Sequence, residues 1–146
     1  SWEVETTEYS NIRDLRQHES SLLEQAKHND KLSMIKLGNL YLDNDTELFN
    51  QYKGFTWLDK AAMTKPNFER DKAIIKRLYQ HPNKERQHFW LLHGVKYNDK
   101  EAVDILFNLF KNMWLRWIKI KGRVHSKKRQ EQSMRHFFSE RLELET

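Results

Sequence analysis

The sequence contains no cysteine, and it has only two prolines and four glycines among its 146 residues. The absence of cysteine excludes disulfide bonds, thiolate catalysis and zinc sites built on cysteine. Residues that break helices are scarce, and alternation of apolar and polar residues typical of strands is hard to find. The chain is therefore predicted to be all-α. No apolar run approaches the roughly 20 residues that a membrane-spanning helix needs.

Recognisable enzyme motifs are also missing. The sequence has no nucleophile elbow and no glycine-rich phosphate loop. His88 and His93 are spaced differently from the paired histidines of a zinc-protease helix. The loop starting at Asp43 has Leu48 and Gly54 where a calcium-binding EF-hand needs Gly and Glu. We therefore predict no catalytic residue, no metal site and no cofactor, so the protein is not expected to be an enzyme.

Two helical patterns dominate the stretch from residue 32 to residue 62. The first helix presents an apolar face made of Leu37, Leu40 and Tyr41. The second carries an apolar stripe made of Trp57, Leu58, Ala61 and Ala62. Gly38 lies inside the first helix, where glycine costs roughly 1 kcal/mol relative to alanine. Such a glycine indicates close approach of another backbone, and we expect Trp57 to pack between adjacent helices.

The second pattern recurs along the chain. The segment from Trp90 to Val95 aligns with that from Trp57 to Ala62, an offset of roughly 33 residues. Residues 22–26 align with the same pattern at an offset of about 35, and residues 99–106 align with residues 30–37 at about 69. A period in the mid-thirties is typical of arrays of helical hairpins.

An LG-x-LY helix followed by a W-L-x-K-A-A helix resembles the Sel1-like repeat, a relative of the tetratricopeptide repeat. The resemblance covers residues from about 11 to 110. It departs from the family at Ser33 and Gly54, where alanine is usual, and the first helix of the middle repeat, residues 69–79, lacks the LG-x-LY motif. Residues 43–46 replace the family's glycine-rich loop. The resemblance implies a short α-solenoid of stacked antiparallel helical hairpins.

The predicted helices follow from caps and periodicity. Ser10 or Asn11 is expected to cap the first helix, Asn67 and Asn83 are expected to cap later ones, and a helix is expected over about Lys31 to Leu42. The helix with Trp57 should begin near Phe49 and end before Pro66. In the helix that follows, the residues expected to face inward are Ala73, Ile74, Leu78 and Tyr79, and the next helix carries Phe89, Trp90, Leu91 and Val95.

The longest periodic segment opens at Asp99 and is predicted to cap the array, because a terminal repeat would otherwise expose its core face. Its apolar positions are Ala102, Val103, Leu106, Leu109, Phe110, Met113, Trp114, Trp117 and Ile118. A last helix is predicted with an apolar stripe made of Met134, Phe137, Phe138 and Leu142. We predict one all-helical domain, residues 1–146, with repeats over about 11–110 and basic capping and tail helices over about 111–146.

A basic tract follows that segment. It consists of Lys119, Lys121, Arg123, Lys127, Lys128 and Arg129. Together with the net charge of +5, it supports an alternative function, binding of nucleic acid or a membrane surface. Against this, Trp114 and Trp117 fall on the apolar stripe, where core packing explains them as well as base stacking does.

The Sel1-like resemblance implies a protein-protein interaction module whose groove is lined by the first helix of each repeat. The residues at those positions are Lys36, Asn39, Lys72, Lys76, Tyr79, Asp104, Asn108 and Lys111. Some small Sel1-like proteins resemble bacterial immunity or adaptor proteins. The leading hypothesis is thus a bacterial protein that sequesters or scaffolds another protein, such as a toxin or secreted effector. A structural subunit of a larger assembly is a third hypothesis, and the compartment stays open between periplasm and cytoplasm.

Overall fold

The computed structural model describes residues 11–121, 132 and 134–136. Every regular element within these residues is a helix, which confirms the all-α prediction. The six helices are α1 (Ile12–Lys27), α2 (Lys31–Leu42), α3 (Gln51–Met63), α4 (Phe68–Leu78), α5 (Lys84–Lys96) and α6 (Lys100–Lys121). Residues 132 and 134–136 are helical as well.

Asparagine side chains begin four of the helices. Each Oδ1 accepts a hydrogen bond from the backbone N–H three residues later, with donor–acceptor distances of 2.9 to 3.0 Å. The four caps are Asn11, Asn50, Asn67 and Asn83. Each cap satisfies one of the N–H groups that a helix start leaves without a partner. Asn67 and Asn83 confirm the sequence prediction, and Asn11 is the cap where the prediction left Ser10 and Asn11 open. Asn50 moves the start of α3 two residues past the predicted Phe49.

The chain divides into two compact units. One ends at Trp90 and the other begins at Leu91, so the boundary falls inside α5. The organisation as one domain stays a prediction. The first unit holds the α2–α3 hairpin that the sequence singled out, and α1 and α4 each pack against it.

Two glycines allow the backbones of α2 and α3 to approach closely. A Cβ atom added to Gly38 would lie 2.6 Å from Leu58 Cδ2 and 3.1 Å from the carbonyl oxygen of Gly54. A Cβ atom added to Gly54 would lie 3.1 Å from the carbonyl oxygen of Gly38 and would overlap the Leu42 side chain. The prediction that Gly38 marks a close backbone approach is confirmed, and Gly54, a departure from the family pattern, is its counterpart on α3.

Burial in the first unit corrects two predicted core positions, Trp57 and Ala73. Trp57 is only half-buried, with the Lys60 ammonium 5.3 Å from its ring centroid, whereas the adjacent Leu58 is completely buried. Ala73 is exposed, because the buried side of α4 runs through residues 68, 71, 74, 75 and 78 at helical spacing, on the opposite face. Phe89 is 40% exposed, and the Arg86 guanidinium lies 4.4 Å from its ring centroid.

The apolar stripe of α6 is buried unevenly within the second unit. Ala102 and Leu106 are buried, the side chains at 103, 109, 110 and 114 are half-buried, and Met113 is 64% exposed. The prediction of a continuous inward stripe is therefore wrong at Met113. The side chains of Trp117 and Ile118 lie outside the described residues, as do Phe137, Phe138 and Leu142, whereas Met134 is buried.

We predict that Leu58→Ala destabilises the fold more than Trp57→Ala. Removing a completely buried leucine side chain costs about 2–5 kcal/mol, whereas a half-buried tryptophan loses only part of the 3–5 kcal/mol typical of a core aromatic. Urea denaturation of the two variants would measure both free energies of unfolding. A larger loss for Trp57→Ala would mean that Trp57 is a core residue, as the sequence alone suggested.

We predict that Gly38→Val costs about 3 kcal/mol, near the upper end for overpacked cores, since even the first added carbon meets Leu58. The matched control is Ala73→Val, which places the same side chain on an exposed helical position and should cost less than about 1 kcal/mol. Equal losses in the two variants, measured by thermal unfolding, would contradict the close approach of α2 and α3.

Candidate protein-binding surface

The predicted groove residues of the first unit lie on α2 and α4. Asn39 Oδ1 accepts a hydrogen bond from Arg77 Nη1, which joins the two helices at the surface. Arg77 was not among the predicted residues, because only the fold brings it next to Asn39. Its neighbour Tyr79 is 1% exposed and belongs to the core. A side chain so deeply buried offers no surface to a partner, so Tyr79 is removed from the candidate set.

We call the remaining set the basic face. It consists of Lys36 and Asn39 on α2 and Lys72, Lys76 and Arg77 on α4. All five side chains are exposed or half-buried. Helix α2 contains no acidic residue, and α4 contains only Glu69 and Asp71, of which Asp71 is completely buried. The basic face therefore carries four formal positive charges, and Glu69 is the single exposed carboxylate on its two helices.

A buried ion pair fixes α4 against α2. Lys31 Nζ lies 2.7 Å from Asp71 Oδ2, and it also donates to the carbonyl oxygens of Thr64 at 2.7 Å and Lys65 at 3.2 Å. The backbone N–H of Asn67 donates to the same carboxylate. The pair thus ties the first turn of α4, the turn before it and the start of α2 together. Loss of one partner would leave a buried charge uncompensated, which typically costs about 3–5 kcal/mol.

A second polar contact joins α1 to α2. The Tyr41 hydroxyl donates to Glu19 Oε2 at 2.6 Å, and Arg16 Nη1 lies 3.4 Å from Glu19 Oε1. Burial raises the pKa of Tyr41 above its ordinary value, and the hydrogen bond and charge of Glu19 raise it further. Burial, and then the positive charge of Lys36, lower the pKa of His18 on α1. The positive charge of Lys36 on α2 therefore acts on the His18 imidazole on α1.

The third polar cluster lies between α3 and the start of α5. Arg86 holds both oxygens of Asp59, with Nε–Oδ2 and Nη2–Oδ1 distances of 2.7 Å. Buried His81 accepts a hydrogen bond from the backbone N–H of Asn83 at Nδ1, and its Nε2 lies 3.8 Å from Asp59 Oδ2. The neutral tautomer thus carries its proton on Nε2. Because Arg86 engages both oxygens of Asp59, the geometry favours a structural role over acid–base chemistry.

A small open cavity lies beside the Lys31–Asp71 pair. Its volume is about 350 Å³, and its lining residues are Asn29, Asp30, Lys31, Leu32, Thr64, Lys65 and Arg70. The Lys31 ammonium beside it is already bonded to protein oxygens. Among the residues that the structure describes, no group of three His, Asp or Glu side chains is arranged to hold a metal ion.

The other predicted site residues belong to the second unit. Asp104, Asn108 and Lys111 are exposed on α6, and so is Lys119. Their role in binding a partner stays a prediction. The rest of the basic tract lies outside the described residues: the Lys121 side chain, Arg123, Lys127, Lys128 and Arg129.

Comparison with known proteins gives no relative: no family model, curated protein or solved structure matches the chain. The Sel1-like assignment therefore stays a prediction. None of the helices within the described part of the chain combines the length and apolar character needed to cross a bilayer.

We predict that His81 makes the fold less stable in mild acid. Burial lowers its pKa below the ordinary 6.5, Asp59 opposes this in part, and the charge of Arg86 adds to it. A lowered folded-state pKa means that below about pH 6.5 the unfolded chain binds more protons. The stabilising contribution of neutral His81 is therefore present above that pH and is lost as pH falls through the folded pKa.

Urea denaturation at about pH 7.5 and about pH 5.5 would measure this effect, since the interval spans the ordinary histidine pKa. His81→Gln should lose less stability between the two pH values than the unchanged protein. The matched control is His88→Gln, at an exposed histidine on α5, which should keep the full loss. An identical pH dependence in His81→Gln and the unchanged protein would contradict the assignment.

Proposed function

We propose that this protein is a protein-protein interaction module without enzymatic activity, and that it binds a partner protein through the basic face. The observation that carries the proposal is the hydrogen bond between Arg77 and Asn39. It joins α2 and α4, which are the first helices of successive hairpins in the predicted array, into one continuous polar surface. The Sel1-like resemblance implies binding on the same helices.

The supports beneath this surface suit a binding role. The Lys31–Asp71 ion pair and the close approach at Gly38 and Gly54 position α2 and α4 without using the exposed side chains of the basic face. A surface held on packed helices loses little conformational entropy when a partner binds. The charged and polar groups of the three clusters are paired with one another. Within the described residues we find no convergent site of the kind that catalysis requires.

Within this class, the proposed biological role is that of a bacterial immunity or adaptor protein that sequesters or scaffolds its partner. Stacked hairpins of the Sel1-like type would place the first helices side by side, and the α2–α4 contact supports that arrangement. Binding of nucleic acid or a membrane surface through Lys119 to Arg129 is the alternative. No structural feature of the described residues favours it.

Reversing charges on the basic face should weaken partner binding without destabilising the fold. In the triple variant Lys36→Glu, Lys72→Glu and Lys76→Glu, we expect at least a tenfold loss of partner affinity, because truncating or opposing charges at a binding surface costs about 1.4 kcal/mol or more. The melting temperature should barely change, since none of the three side chains is buried. The partner would be purified from the native host on the tagged protein and its affinity measured by calorimetry.

The matched control carries Lys27→Glu, Lys84→Glu and Lys100→Glu, the same change of charge at exposed positions on α1, α5 and α6. Equal affinities of the two triple variants would count against the basic face. Anisotropy titration with labelled oligonucleotides at about 0.15 M salt tests the alternative. Sub-micromolar binding that disappears in Lys127→Gln, Lys128→Gln and Arg129→Gln would favour nucleic-acid binding instead.

A further inference from the structure

The centre of the basic face offers more hydrogen-bond donors than acceptors. Asn39 Oδ1 uses one of its two lone pairs to accept from Arg77 Nη1, and the Nδ2 group of Asn39 adds two N–H donors. Arg77 carries five N–H donors, and among the described residues the bond to Asn39 is the one recorded for them. Lys36 lies one turn before Asn39 on α2, at the i, i+3 spacing that places two side chains on one helix face.

The local charge is equally one-sided. Within the part of the chain that the structure describes, neither Lys36 nor Arg77 forms an ion pair with a carboxylate. Asp71 on α4 is completely buried with Lys31, so it does not neutralise the surface. A group that binds between Lys36, Asn39 and Arg77 must bring negative charge and acceptor oxygens. A carboxylate fits, since a guanidinium can hold its two oxygens with parallel N–H bonds.

Helices α2 and α4 lack the exposed aromatic and large apolar side chains that nucleic acids and lipid surfaces would contact. The two helices contain the aromatic residues Tyr41 and Phe68, with Tyr79 at the end of α4, and all three are buried. Single-stranded nucleic acid would therefore find no exposed ring on which to stack a base. None of the large exposed apolar side chains of the described residues lies on α2 or α4. A lipid surface would find no apolar group to insert beside the charges.

We propose that the basic face binds an acidic segment of a partner protein, with an Asp or Glu carboxylate seated between Lys36, Asn39 and Arg77. This inference rests on the proposed function and names the chemistry of its partner. Asn39 has two roles in the site: its oxygen orients the Arg77 guanidinium, and its amide N–H groups complete the donor set. Lys72 and Lys76 precede Arg77 on α4 and provide positive charge for other acidic residues of the segment.

The test selects random dodecapeptides displayed on phage against the intact protein. We expect the selected peptides to be enriched in Asp and Glu over the unselected library. The tightest three would then be synthesised with a fluorescent label, each with a twin in which Asn and Gln replace Asp and Glu. Anisotropy titration should give at least about tenfold weaker binding for the twins, as expected when charged hydrogen bonds are lost.

Two variants locate the site, and one controls for charge. Arg77→Gln removes the guanidinium, and Asn39→Asp puts a carboxylate of nearly the same shape beside Arg77, where it would occupy the donors itself. Both should weaken binding of the acidic peptides by about tenfold or more. Asn39→Asp should not lower the melting temperature, because it adds an ion pair at the surface. Lys27→Gln, on α1, should leave the affinity unchanged.

The outcomes distinguish this inference from the proposed function. Selected peptides without acidic enrichment that nevertheless lose affinity in Arg77→Gln would overturn the acidic segment and leave the binding surface standing. If the peptides keep full affinity for Arg77→Gln and for Asn39→Asp, both the acidic-segment inference and the proposed binding surface are overturned. The inference also fails if no peptide is selected, or if a labelled 20-nucleotide single strand binds tighter than every peptide and loses affinity in Arg77→Gln.

Discussion

The close approach of α2 and α3 at Gly38 and Gly54 is the constraint on which the described fold of the first unit depends. A Cβ atom added to either glycine would press against the carbonyl oxygen of the other and overlap a leucine side chain, Leu58 at Gly38 and Leu42 at Gly54. The crossing fixes α2, and the neighbouring helices are then attached to α2 by polar contacts. The Tyr41 hydroxyl on α2 donates a hydrogen bond to Glu19 on α1, and Lys31 on α2 forms an ion pair with Asp71 on α4. Displacing α2 would therefore disturb both flanking helices and the surface between α2 and α4.

Buried polar pairs give this small unit a specific arrangement in addition to stability. Apolar attraction is non-directional, whereas a buried carboxylate must stay within hydrogen-bond distance of its donor. The three clusters around Glu19, Asp71 and Asp59 each join a different pair of chain segments. Each cluster restricts one docking geometry, which explains how exposed residues far apart in the sequence, such as Asn39 and Arg77, meet reproducibly.

The helices could be predicted from the sequence, but their lateral contacts could not. Asparagine caps and apolar spacing act within a few residues, so Asn67 and Asn83 were recognised, Asn11 was one of two candidates for its cap, and the bounds of α2 were correct. Periodicity identifies an apolar stripe without showing which edge a neighbouring helix covers, and the error at Trp57 lies at such an edge, whereas Ala73 lies on the face of α4 opposite its buried side. Arg77 was missed because its partner is 38 residues away. The ion pair between Lys31 and Asp71 likewise depends on tertiary structure.

The environment of Lys31 also has a consequence for chemical labelling. Its ammonium group has three hydrogen-bond acceptors, Asp71 Oδ2 and the carbonyl oxygens of Thr64 and Lys65, and its side chain is 8% exposed. All three N–H bonds of the group are therefore occupied. An acylating reagent would reach this amine only when the first turn of α4 separates from α2. Mass spectrometry of the labelled protein could thus use Lys31 as a native reporter of local opening, timed against the exposed lysines of the same chain.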